Sequence, residues 1–157
     1  MSQSEYWEIS RTNTFSGDKE KLRKIINAID CEEGADIFDD LRDSNKFGFV
    51  INGSFYGIRF DKEGNLIDAK DTENEDYDYV DKMDGEERFK GFLKLLQTVV
   101  AEDDAIIMMG IGYEDTSFVS GGVNVITRDS IERMTLDEWG TKVARIKLKN
   151  PDWKFTS

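Results

Sequence analysis

The chain has 157 residues, 34% charged and 38% hydrophobic, with a single proline (Pro151), a length and balance that let one domain bury its own core. A formal charge of −12 argues against direct binding to nucleic-acid phosphates, which needs Lys and Arg. The absence of histidine excludes Ser-His-Asp and Cys-His nucleophile systems, His general bases and His-ligated metals, and the lone Cys31 excludes an intramolecular disulfide and Cys-rich zinc or iron–sulfur centres.

Residues Met1 to Glu8 are polar and lack the basic-then-apolar order of a secretory signal. The longest apolar run, Ala105 to Ile111, is broken by Gly110 and falls well short of the ~20 residues of a spanning helix. The expectation is a cytoplasmic protein with no membrane partner.

In chain order, Tyr6 to Phe15 alternates around Trp7, Ile9 and Arg11 and reads as a strand. Leu22, Ile25, Ile26 and Ile29 recur at helical spacing, so residues 18–30 read as an amphipathic helix with Asp18 as cap. Residues 31–45 are ambiguous, and Ile37, Phe38 and Leu41 fit one short helical turn. Asn52-Gly53 between two β-rich runs predicts a two-residue hairpin. A turn at Asp61 to Gly64 and a third strand from Asn65 to Ala69 extend it to a meander.

Residues 71–83 have no apolar periodicity and read as a loop. Asp84, with Glu87 three residues on, opens a helix whose stripe is Phe89, Phe92, Leu93, Leu96, Val99 and Val100. Ala105 to Tyr113 reads as a central strand. A turn at Glu114-Asp115-Thr116 leads to a strand with Val119, Gly121, Val123 and Val125 on one face. The last helix begins at Thr135, with Glu138 at the capping-box position and Leu136, Trp139, Val143 and Ile146 as its apolar face.

This order predicts a single α+β domain over 1–157: an antiparallel sheet of about five to six strands with two or three helices packed on one face. The glycines of Gly110-Ile111-Gly112 and Gly121-Gly122 lie in strands and lack the helix and Lys of a phosphate loop, so they mark bulges or close strand approach. Phe55 and Tyr56 point to opposite faces of one strand. Cys31, with no His partner, reads as inert.

Charge is uneven. Residues 61–87 hold twelve acids against three bases, whereas residues 128–157 carry a net +2. Asp71, Glu73, Glu75, Asp76, Asp78, Asp81 and Asp84 crowd one stretch, with Tyr77 and Tyr79 between them. Such a stretch is either a solvated loop or a surface complementary to a basic groove; in the second reading carboxylates steer a cationic partner and the tyrosines anchor it. No Gly stands at the sixth position of a calcium loop begun at Asp71, Asp76 or Asp78, so no metal is assigned there. The basic tail, Arg145 to Lys154, reads as a solvated helix face.

The segment Arg133 to Trp139, opening a C-terminal helix, resembles the helix that closes some bacterial toxin-immunity proteins, although Thr135 and Leu136 differ from that pattern. Small size and strong acidity also resemble phage-encoded inhibitors of host nucleases, including anti-CRISPR and DNA-mimic proteins. Both resemblances imply a non-enzymatic inhibitor, without cofactor, of a basic protein partner such as a nuclease or toxin. The partner-binding residues are then expected among Asp71, Glu73, Glu75, Asp76, Tyr77, Asp78, Tyr79, Asp81 and Asp84. The competing expectations are a divalent-metal enzyme built on clustered carboxylates and a domain that self-associates through exposed strand edges.

Overall fold

The structure, a computed structural model, describes residues 6–68, 85–114 and 118–156. Among them the order is β1 (Tyr6–Thr12), α1 (Lys19–Asn27), β2 (Ile29–Cys31), β3 (Ala35–Asp39), β4 (Phe47–Asn52), β5 (Phe55–Ile58), α2 (Gly85–Gln97), β6 (Ile106–Glu114), β7 (Phe118–Ile126), β8 (Ile131–Thr135) and α3 (Leu136–Leu148). Six strands form an antiparallel sheet in the order β3-β4-β1-β6-β7-β8, and β2 with β5 forms a two-stranded sheet. The molecule is therefore α+β with an antiparallel sheet, as its sequence order predicts.

The first helix starts at its expected cap but ends at Asn27, and Ile29, expected in its stripe, lies in β2, where it pairs with Ile58. Asp18 Oδ1 accepts the Lys21 N–H at 3.1 Å, and Leu22, Ile25 and Ile26 are buried. Helix α2 buries Phe92, Leu93 and Leu96 and ends at Gln97, so Val99 and Val100 of the expected stripe are buried beyond its end, where Val100 bridges Gly17. Phe92 stacks on Phe55 at 5.2 Å and meets Phe49 edge-on at 5.9 Å, which ties the helix to both sheets. Phe47, Phe49 and Ile51 of β4, Ile106 and Met108 of β6, and Ile126 of β7 form the floor of this core. Thr12, the one buried polar residue among those described, accepts the Phe49 N–H at 3.0 Å and donates to the Asn13 carbonyl.

Three further local expectations need correction. Residues 31–45 hold no helical turn: they supply the end of β2 and all of β3, because backbone pairing with β5 and β4 overrides weak local preference. The Asn52-Gly53 turn is present, with Gly53 at φ +79°, but β4 and β5 do not pair. Both edges of β4 are already taken by β3 and β1, so the turn sends the chain into the second sheet. The third meander strand is reduced to one bridge, Phe60 to Leu66, although the turn before it forms as expected, with Asp61 Oδ1 accepting from Glu63 and Asn65.

Strand β8 has no counterpart in the sequence reading. The glycines of β6 and β7 pair in continuous register, so they mark close approach and not bulges. A Cβ on Gly122 would stand 2.9 Å from the Met134 carbonyl oxygen. The last helix is capped as expected, the Thr135 side chain and Glu138 forming a reciprocal capping box.

Candidate protein-binding surface

Alternation along the paired strands divides the sheet into two faces. Helices α1 and α2 cover the face of Phe49, Ile51, Ile106, Met108 and Ile126. The opposite face carries Trp7, Ile9 and Arg11 of β1, Ile107, Met109, Ile111 and Tyr113 of β6, and Val119, Gly121, Val123 and Val125 of β7, which the register places side by side. Trp7, Ile9, Ile107, Met109, Ile111, Tyr113 and Val119 are all exposed, Val119 to 71%. A monomeric protein seldom leaves so continuous an apolar face in water. The nearly all-apolar run of β6 is thus buried on one side only.

Toward β3 this face turns polar. The Arg11 guanidinium lies 4.2 Å over the Phe38 ring, a contact that crosses Gly48 of β4. A Cβ on Gly48 would come within 2.6 Å of that ring, so only glycine lets the two meet.

Beyond it lies the sheet's acidic edge. Residues 30–43 hold seven acids and one base, wrapped around edge strand β3 and the turn after it. Asp30 pairs with Arg59 and Asp39 with Lys19. Glu32, Glu33, Asp36 and Asp43 are exposed. The turn is rigidly built: Asp40 Oδ1 accepts the N–H groups of Arg42 (2.7 Å) and Asp43 (3.2 Å), and Asp43 Oδ1 accepts that of Asn45 at 2.9 Å. It holds Leu41 wholly in solvent, at 103% of its reference exposure. The Thr14 hydroxyl, with the Arg42 and Asp43 N–H groups, holds the Asp40 carboxyl below the usual carboxylate range.

At the other edge, α3 follows β8 without a linker and has no buried residue. Leu136, Trp139 and Ile146 of its apolar stripe are each more than half exposed. Lys142, Arg145, Lys147 and Lys149 are exposed along it, and Arg145 Nε donates to the Trp153 carbonyl at 2.8 Å.

Under α2, on the helix-covered face, runs a cleft of about 520 Å³ with Glu8, Ser10, Gly110, Asn124 and Arg133 on its walls. Its room comes from the small residues that β1, β6 and β7 turn to that side. Arg133 lies 5.3 Å from the Phe89 ring centroid there. Phe55 packs in the core and Tyr56 is exposed, as their opposite directions require. Burial pushes the Cys31 thiol above its ordinary value, which suppresses the thiolate.

The expected partner-binding residues Asp71, Glu73, Glu75, Asp76, Tyr77, Asp78, Tyr79, Asp81 and Asp84 all lie outside the described residues. Among the described residues no three His, Cys, Asp or Glu side chains are grouped to hold a metal ion. No helix there is long and apolar enough to cross a membrane. Comparison with family models, curated proteins and solved structures finds no match. Neither the acidic turn of 39–46 nor the open apolar face is among the features expected from the sequence. The first carries a signal in its acids and Asx-turn residues; the second does not, since a strand apolar on both sides is ordinarily buried on both.

Proposed function

We propose that the protein is a small acidic binding protein, not an enzyme, that occupies a basic surface on a nucleic-acid-handling protein partner. The observation that carries this reading is the acidic edge: exposed Glu32, Glu33, Asp36 and Asp43 around β3, with Leu41 held out in water by a hydrogen-bonded turn. A preformed turn loses little entropy on binding, and a single apolar side chain among carboxylates suits a cationic groove with an apolar floor. The overall charge of −12 extends the attraction beyond contact range and speeds encounter with a cation-rich target. The acids of residues 71–84 add to the same field.

The test is kinetic binding of the full chain to a panel of purified nucleases with basic clefts, at low and high salt. A nuclease bound and inhibited by the wild type should lose association rate as salt rises. The triple variant Glu33→Gln, Asp36→Asn, Asp43→Asn should slow association about tenfold with little change in dissociation. A matched triple, Asp76→Asn, Asp78→Asn, Asp81→Asn, separates the two acidic regions. Equal binding by wild type and both triples at every salt concentration would refute the reading.

A further inference from the structure

We propose that two copies of this chain associate by reciprocal exchange of α3, each copy's last helix lying on the open apolar face of the other's sheet. This goes beyond the proposed function, and the side chains that it seats on one another are not those of the acidic edge.

The two halves of such an interface are both present and both unfilled. Among the described residues, no helix covers the sheet face of Trp7, Ile9, Met109, Ile111, Tyr113 and Val119. Helix α3 has an apolar stripe, Leu136, Trp139, Val143 and Ile146, yet buries none of its residues. A lone helix of 13 residues is marginal in water, so a stripe at this spacing calls for a surface to lie on. The two already meet at the start of the helix, where Leu136, the first residue of α3, rests on Gly121 of the open face. The next stripe residue, Trp139, is 58% exposed, Val143 is half-buried and Ile146 is exposed, so most of the stripe is left in water.

Size and charge favour a second copy as the occupant. The exposed apolar residues of the face and the helix together leave on the order of 1,000 Å² in water, against the ~800 Å² per partner that a stable interface covers. A helix of this length spans about 20 Å, comparable with the width of the sheet it would cross. The stripe of α3 is flanked by Lys142, Lys147 and Lys149, and the segment from residue 128 onward carries +2, while the rest of the chain carries −14. A basic-flanked helix therefore meets an acidic body when the two belong to different copies. The exchange is symmetric, so both halves close at once and no apolar face remains to recruit a third copy.

The experiment is sedimentation velocity on the full chain over a range of concentrations, with two single variants and their mixture. Trp139→Glu spoils the helix and Met109→Lys spoils the sheet face; both residues are exposed within one chain, so neither opens the core. Circular dichroism checks that each variant is folded. The wild type should be a dimer with a micromolar or tighter dissociation constant, and each variant alone should dissociate at least tenfold more readily. Mixing the two variants restores one intact half-interface, that of the Met109→Lys helix on the Trp139→Glu sheet, so the mixture should form more dimer than either alone. A wild type that stays monomeric overturns the proposal, as does a dimer indifferent to either substitution. A mixture that forms no more dimer than its components overturns the exchange. None of these outcomes bears on nuclease binding, which the edge variants test separately.

Discussion

Leu136 places its Cδ1 2.7 Å from where a Cβ on Gly121 would stand. The same Cβ would lie 2.8 Å from the Gly110 carbonyl oxygen, so a side chain fits there only if the Leu136 side chain turns aside and the backbone of the neighbouring strand shifts. Gly121→Ala is therefore expected to cost about 1–3 kcal/mol, the range for overpacking. In a chain of this size that lowers Tm by several degrees. Thermal unfolding followed by circular dichroism reads it, and an unchanged Tm would mean that Leu136 and the Gly110 backbone both give way freely.

Phe92 is fully buried and holds Phe55 and Phe49 together across the two sheets. Phe92→Ala removes a ring that three elements share and should destabilise the fold by about 3–5 kcal/mol. Urea denaturation is the measurement. A loss below about 1 kcal/mol would mean that the surrounding side chains collapse into the space.

Burial pushes the Asp104 carboxyl up, but the N–H groups of Ser16 and Ala105, each donating at 2.8 Å, more than offset it, and the group sits below its ordinary value of 3.8. A carboxylate whose folded pKa is lowered stabilises the fold above its unfolded pKa. That contribution disappears as pH falls through the folded value. Asp104→Asn should therefore destabilise the protein near neutral pH and have progressively less effect below about pH 4. Denaturation midpoints of the two proteins across acid pH check this; a constant difference at every pH would remove the role of the charge.

The parts of the fold that were legible in the sequence rest on short-range chemistry. Asp18 and the Thr135–Glu138 capping box mark helix starts because the partners lie within one turn. The stripe through Phe92, Leu93 and Leu96 marks the buried side of α2 for the same reason. Strand pairing is different in kind. Asn52-Gly53 reports a turn, but whether β4 and β5 pair depends on β1 and β3, more than ten residues away in sequence. Residues 35–39 look helical only until β4 offers them a ladder. The acidic character of the molecule could be counted from its residues, whereas the turn that presents Leu41 depends on hydrogen bonds from Asp40 and Asp43 that a charge count does not contain. The open face was the least legible of all. Met109 and Ile111 are as apolar as Met108, and only the position of the helices decides which side of β6 meets water.

That open face is central to the account, and hydroxyl-radical footprinting of the full chain at low and high protein concentration addresses it most directly. Trp7, Met109 and Tyr113 of the sheet and Trp139 of α3 are reactive side chains exposed in the single chain. If the helices are exchanged, all four become protected together as concentration rises, while Tyr56, exposed on the second sheet, stays reactive. Four side chains that oxidise at the same rate at both concentrations would contradict it.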